Sequence, residues 1–248
     1  MNSASKDKVL YMYGIMQRPS DFAAIPGIDG KAPVESIKCG ALICWMSRVS
    51  KSEFADNLSA NMENLDWLAA MSARHQETVS AIAPTEDVLP ARFGTVFLNE
   101  TSLRSDIQQR QSELLADFKR IKGCEEWGVK VFAFQPGKIE LPSSLKTGKD
   151  YLKAKSAMLH KRTRKTPDEE MTRFAQALER ISKTAAEGGR ISGGRRDLVF
   201  QVSLLVKRAN RKKLEAILKR FSSKWKDSRQ IECTGPWPPY SFVSRSIQ

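Results

Sequence analysis

Two spacings of apolar residues run along this chain, and the switches between them mark its elements. Val9–Met16 (VLYMYGIM) is apolar on both faces and reads as a buried or paired strand. Val34–Cys39 and Ala41–Val49 read as two more strands, with Gly40 as a bulge or turn between them. Ser52 caps a short helix through Leu58. Leu65, Leu68, Ser72, His75, Val79 and Ile82 then recur at helical steps, which predicts an amphipathic helix that Pro84 ends. Val88–Leu98 (VLPARFGTVFL) is mostly apolar, but Pro90 and Gly94 predict an interrupted or edge strand. Across Ser102–Ile121, Leu103, Ile107, Leu114, Phe118 and Ile121 form the inner side of another helix, with Gly123 as its stop signal.

Trp127–Phe134 alternates as a strand and opens a second region. A loop follows over Gly137–Gly148, then a helix with a thin apolar side over Asp150–Arg162. Thr166-Pro167-Asp168-Glu169 combines an N-cap, a first-turn proline and a capping-box acid. The helix it starts carries Met171, Phe174, Ala175, Leu178, Ile181 and Ala185 on one stripe. Gly188–Arg196 is a loop, Asp197–Val206 a strand, and Asn210–Trp225 a helix with Leu214, Ile217, Leu218, Phe221 and Trp225 inward. Gln230–Cys233 begins a last strand, and the tail Gly235–Val243 is too proline-rich for a central one. Both regions are α+β, and the second follows the order of a split βαβ, ferredoxin-like arrangement.

Composition adds one asymmetry. Of the 248 residues, 41 are Lys or Arg and 28 are Asp or Glu, a net of +13. Residues 1–140 are near neutral at −2, whereas residues 141–248 carry +15. Such a basic half faces an acidic partner, a polyanion or water. Cys39, Cys44, Cys124 and Cys233 show no metal-ligand spacing and read as free thiols, which with no secretory leader points to the cytoplasm. The longest apolar runs fall well short of a membrane span.

Catalytic signals are poor. No GxSxG, HExxH or paired-carboxylate constellation is present, and Gly148-Lys149-Asp150 lacks the Ser or Thr of a phosphate loop. His75 lies on the apolar seam of its helix and reads as a hydrogen-bonded core residue; His160 lies among Lys161, Arg162 and Arg164. No metal or cofactor is expected. The cations at 146–165, with Lys207, Arg208, Arg211, Lys212 and Lys213, make an RNA-binding module the alternative reading. Against it, Asp197–Val206 offers one aromatic, Phe200, and no RNA-recognition signature. Arg92, a permanent cation within an apolar run, must face out to a partner or pair with Glu86, Asp87 or Glu100.

Several stretches taken together resemble the gas vesicle protein F/L family. They are Leu10-Tyr11-Met12-Tyr13-Gly14-Ile15, Gly27-Ile28-Asp29-Gly30 with Pro33-Val34, and Trp67-Leu68 with Ala73 and His75. Val88-Leu89-Pro90-Ala91-Arg92-Phe93-Gly94-Thr95-Val96-Phe97 and Glu126-Trp127-Gly128-Val129-Lys130-Val131 follow. Gly148 with Tyr151-Leu152, and Gly235-Pro236-Trp237-Pro238-Pro239-Tyr240-Ser241-Phe242-Val243, complete the set. Two departures stand out: Ala91 replaces a larger aliphatic, and residues 146–166 are more basic than the family pattern.

The resemblance implies two domains, an α+β one over residues 1–123 and a modified ferredoxin-like one over 124–248 with a basic helical extension at about 146–187. It implies a non-catalytic accessory protein of gas vesicle assembly. The expected partners are the hydrophobic shell protein and other accessory proteins, met as a chaperone or as a minor wall component, with no nucleic acid or membrane involved. Val9–Met16 is then expected at a sheet edge, able to pair with a strand of the shell protein. Tyr11, Tyr13, Arg92, Phe93, Trp237 and Tyr240 are the candidate partner-binding residues, with Phe97 as further anchor area; ordinary core packing is the competing reading for each aromatic.

Overall fold

A computed structural model describes residues 7–19, 25–83, 87–134, 168–187 and 197–244. The helix expected over Asp150–Arg162, the loop over Gly188–Arg196, His160 and the cations at 146–165 lie outside the described residues. The chain forms two compact units. One comprises Met1–Trp127, Leu205–Arg208 and Thr234–Gln248, the other Gly128–Leu204 and Ala209–Cys233.

In the first unit, β1 (Lys8–Met16), β2 (Glu35–Cys39), β3 (Leu42–Ser50) and β4 (Leu89–Pro90) pair in the order β2-β3-β1-β4, and β5 (Val96–Phe97) also pairs with β1. All these pairings are antiparallel. β1 is therefore a central strand and not the expected edge. Its second side is occupied by the two halves of the interrupted run Val88–Leu98, which also donates from Ala91 N to Tyr13 O and accepts at Thr95 O from Met12 N. Edge or centre is set by what returns from distant sequence, which local apolarity does not reveal.

β1 carries a β-bulge: Met12 faces Met46 and Gly14 faces Trp45, so Tyr13 is the extra residue. The extra residue shifts the alternation of side chains. Val9, Tyr11 and Tyr13 share one core cluster, and past the bulge Met16 joins them. α2 (Leu65–Ile82) contributes to this cluster. It is capped by Asn64, whose side chain accepts from Asp66 N and Trp67 N, each at 3.1 Å. It buries Met71, His75, Thr78, Val79 and Ile82, whereas Leu65, expected inward, is 77% exposed in the first turn. Ser52–Asp56 forms a π-turn before α1 (Leu58–Glu63).

The helix expected over Ser102–Ile121 divides at Arg110 into α3 (Glu100–Gln109) and α4 (Gln111–Ile121). Asn99 and Ser102 form the capping box that begins α3, and Leu103, Ile107, Leu114, Phe118 and Ile121 are all buried as the pattern predicts. Asp87 receives both Gly123 N, at 3.0 Å, and the Arg208 guanidinium, at 2.9 Å.

β6 (Cys124–Ala133), α5 (Glu169–Glu179), β7 (Ser182–Glu187), β8 (Leu198–Lys207), α6 (Arg211–Lys224) and β9 (Arg229–Trp237) follow in chain order. Their strands form a sheet of order β7-β8-β6-β9, and the sequence of elements is that of a ferredoxin-like arrangement. Asp168 is the N-cap of α5, its side chain accepting from Met171 N, and Thr166 and Pro167 lie outside the described residues. That helix stops at Glu179, and the continuation expected to Ala185 is β7, a strand made by pairing with β8 although SKTAAE has little intrinsic strand character. In the second unit, Phe174 packs on Phe200, Phe221 and Trp225 at centroid distances of 5.8, 4.9 and 5.1 Å. β9 is an edge strand, as its prolines demand.

Gly27 explains one quoted motif. A Cβ there would lie 2.2 Å from Ser47 Oγ and 2.8 Å from Tyr13 Oη, so only glycine lets the loop bring Ile28 N to Tyr13. Gly27→Ala is predicted to destabilise the fold by about 1–3 kcal/mol, measured as a lower urea midpoint at unchanged slope.

Candidate functional site

Tyr11 and Tyr13 sit side by side in β1 with fully buried side chains and ring centroids 5.3 Å apart. A buried phenol must satisfy its hydroxyl, and each does so twice. Tyr13 Oη donates to Ser47 Oγ at 3.1 Å and accepts from Ile28 N at 2.7 Å. Ser47 Oγ in turn donates to Pro33 O at 2.8 Å. This chain of bonds ties the loop Gly27–Pro33 onto the sheet.

Tyr11 does the same for the loop between β4 and β5. Its oxygen accepts from Gly94 N at 3.1 Å and lies 3.0 Å from Nδ1 of His75. His75 Nε2 is 3.1 Å from Ala91 O and 3.3 Å from Tyr240 Oη. A carbonyl only accepts, so Nε2 carries the proton and donates to Ala91, leaving Nδ1 to accept from Tyr11. Gly94, at φ +81, turns the loop so that its N–H points back to Tyr11. Phe93 covers the network from outside, with centroids 5.9 Å from His75 and 6.2 Å from Trp67.

Both ring nitrogens of His75 are thus engaged within the core, where the side chain is 4% exposed. Desolvation disfavours the imidazolium and outweighs the Ala91 carbonyl, so the pKa falls from 6.5 to about 4. Burial likewise raises the Tyr11, Tyr13 and Tyr240 phenols. In this conformation His75 has no free nitrogen to serve as a base. Burial raises the Cys44 thiol, aided by Cys39, and pushes Cys233 up to about 11, and all four cysteines are free. Among the described residues no cluster of His, Cys, Asp and Glu is placed to hold a metal. No helix there is long and apolar enough to cross a membrane.

The closing segment is held by two buried carboxylates. Glu126 accepts from Ser241 N at 2.8 Å and Ser241 Oγ at 2.6 Å. Asp117 accepts from Ser244 N at 2.7 Å, from Ser244 Oγ at 2.8 Å and from Arg120. Arg120 Nε also donates to Phe242 O at 2.8 Å. Tyr240 is thereby delivered to His75. These carboxylates were not singled out from the sequence; Glu126-Trp127-Gly128 in the quoted motif was the available signal.

The other side of β1 looks onto a cleft of about 560 Å³. Met12, Ile15, Leu89 and Leu114 give it an apolar floor, and Arg92, Asp106 and Arg110 give it a charged rim. Phe93 and Tyr240 also line it, so three of the six candidate residues meet at this cleft. Arg92 is exposed and takes neither Asp87 nor Glu100 as a partner. Asp87 pairs with Arg208, and Glu100 with Arg48 and Arg104; Glu86 lies outside the described residues. Trp237 is 40% exposed and is not part of the cleft. Tyr11 and Tyr13 present no surface at all, so the anchor area expected from them is core, held inside by their own hydrogen bonds.

The buried neutral imidazole makes stability pH-dependent. Its pKa is depressed on folding, so the unfolded chain binds more protons between about pH 6.5 and pH 4. His75 is predicted to contribute fully above that window and to lose about 3 kcal/mol of stability across it. Urea midpoints from pH 7 to pH 4 are predicted to fall less steeply for His75→Gln than for the parent.

A family profile for gas vesicle synthesis protein GvpL/GvpF matches residues 9–244. Gas vesicle protein L of a Streptomyces species is 29% identical, over 96% of this chain and 94% of its own length. Gas vesicle protein F of Haloferax mediterranei is 22% identical at the same coverages. The fold is similar to the crystal structure of GvpF from an Anabaena species, with a TM-score of 0.73 at 17% identity, covering 96% of this chain and 97% of that one. GvpF from Microcystis aeruginosa gives a TM-score of 0.67 at 19% identity, covering 96% and 99%. A profile match across nearly the whole chain places this protein in the GvpL/GvpF family of gas vesicle synthesis proteins.

Proposed function

We propose that this protein is a non-catalytic accessory factor of gas vesicle assembly that binds the hydrophobic shell protein and other accessory proteins in the cytoplasm. The observation that carries the reading is the family match over residues 9–244. The physical task is clear. A wall subunit that must exclude water from one surface exposes apolar area and strand edges before assembly, and both aggregate in solution. A partner that covers them, either transiently or as a minor component of the wall, keeps the subunit competent.

The cleft beside β1 supports this reading. Its floor is apolar, its rim is charged, and Arg92 stands on that rim without an ion-pair partner among the described residues. Binding sites commonly pair a dry anchor region with one or two arginines. Arg92, Phe93 and Tyr240 are the proposed contact residues at the cleft, and Trp237 a separate exposed anchor. His75, with both nitrogens bonded in the core, supports the absence of catalysis by that residue.

Co-expression with the shell protein and affinity capture of this chain tests the proposal. Shell protein is expected in the captured fraction, and Arg92→Glu is predicted to reduce its recovery at least about fivefold with an unchanged thermal midpoint. Normal vesicle yield in cells lacking this protein would remove the assembly role.

A further inference from the structure

The second unit carries a basic groove that the shell-protein reading does not use. α5 and α6 pack antiparallel. Glu170, near the start of α5, binds Lys224, the last residue of α6, and Trp225, its C-cap, at 2.6 and 2.8 Å. Ile181, past the end of α5, accepts from Asn210, just before α6, at 3.1 Å. Between the helices lies a groove of about 390 Å³ lined by Arg173, Arg180, Arg220 and Lys224, with Ala177 and Phe221 in its wall.

The cations there exceed their acids. Arg173 pairs with Glu169 and Lys224 with Glu170, whereas Arg180 and Arg220 are exposed with no carboxylate partner among the described residues. Arg220 instead lies over the Phe221 ring, 4.9 Å from its centroid. Arg173 on α5 and Arg180, the C-cap of that helix, are seven residues apart, two turns and about 10 Å along the axis. On the facing helix Arg220 and Lys224 are one turn apart. Two cation rows thus flank a short apolar strip.

The geometry points to this groove as a docking site for an acidic amphipathic segment of a protein partner. Carboxylates spaced by one or two helical turns would meet Arg180 and Arg220, and a small apolar side chain would rest on the half-buried Ala177 between them. Arginine forks suit carboxylates because they bind them bidentately. A nucleic acid fits less well. Phe221 is 7% exposed and lies beneath Arg220, so it offers no face for base stacking. This surface is separate from the Arg92 cleft, and its failure would leave the shell-protein reading standing.

The test uses the full chain and a fluorescein-labelled, alanine-based helical peptide with glutamates at three- and four-residue spacing, read by anisotropy. A scrambled peptide of the same composition and an oligouridine of equal charge are the comparison probes. The patterned peptide is expected to bind tightest, and more weakly as salt rises from about 50 to about 300 mM. Arg180→Gln with Arg220→Gln is expected to weaken it about tenfold. Lys212→Gln with Lys213→Gln, which removes the same charge from exposed positions outside the groove, is expected to change it less than about twofold. Equal losses in the two double variants, or tighter binding of either comparison probe, would overturn the assignment. Circular dichroism melts confirm that both double variants are folded before they are compared.

Discussion

A phenol buried in the middle of a sheet must place its hydroxyl between a donor and an acceptor, and for Tyr11 these are Gly94 N and His75 Nδ1. That requirement organises the first unit. The imidazole must be neutral to accept from Tyr11, and its remaining N–H then fixes Ala91 O. The peptide groups of Ala91 and Gly94 bracket Arg92 and Phe93, so these two hydrogen bonds hold the loop with Arg92 on its outer side and Phe93 packed over His75 and Trp67. Leaving a buried donor or acceptor unpaired there costs about 1–3 kcal/mol. The arrangement therefore tolerates few alternatives.

The bulge at Tyr13 gives β1 its two roles. Before and after it, one set of side chains enters the aromatic core under α2, while Met12 and Ile15 reach the cleft on the other side. Segments far apart in the chain converge on this strand. Gly27-Ile28 caps Tyr13, Ala91–Gly94 encloses Tyr11 and His75, and Ser241 on Glu126 brings Tyr240 to the same histidine. In this unit, many of the stretches that resemble the gas vesicle family supply partners to the hydrogen bonds around Tyr11, Tyr13 and His75.

Much of this was legible in the chain. Period-3.6 spacing located the helices because their buried faces are apolar, and His75 stood out as a polar residue on such a face. Its partners did not, since backbone groups of Ala91 and Gly94 leave no mark in side-chain pattern. The centrality of β1 was hidden because its neighbours arrive as two-residue strands interrupted by a loop. β7 was read as helix because its alanines fit either period, and only pairing with β8 decides. Arg92 was legible as an outlier, but not its lack of Asp87 and Glu100, which other arginines claim first. Tyr11 and Tyr13 stand out in the sequence with contact surface and core both open as readings, because aromatic strands serve cores and interfaces alike; their burial decides for core.

The charge asymmetry narrows in the same way. In the described part of the basic half, cations without acid partners include Arg180 and Arg220 beside an apolar strip, whereas the first unit presents Arg92 beside an apolar cleft. In the proposed function, the loop held by Tyr11 and His75 presents a contact surface for the shell protein. The most direct measurement places a photo-crosslinking amino acid at position 92, and at exposed position 212 as a comparison, in cells making vesicles. Crosslinks to the shell protein are expected from position 92, and few from position 212. Crosslinks from position 212 with none from position 92 would contradict this proposal.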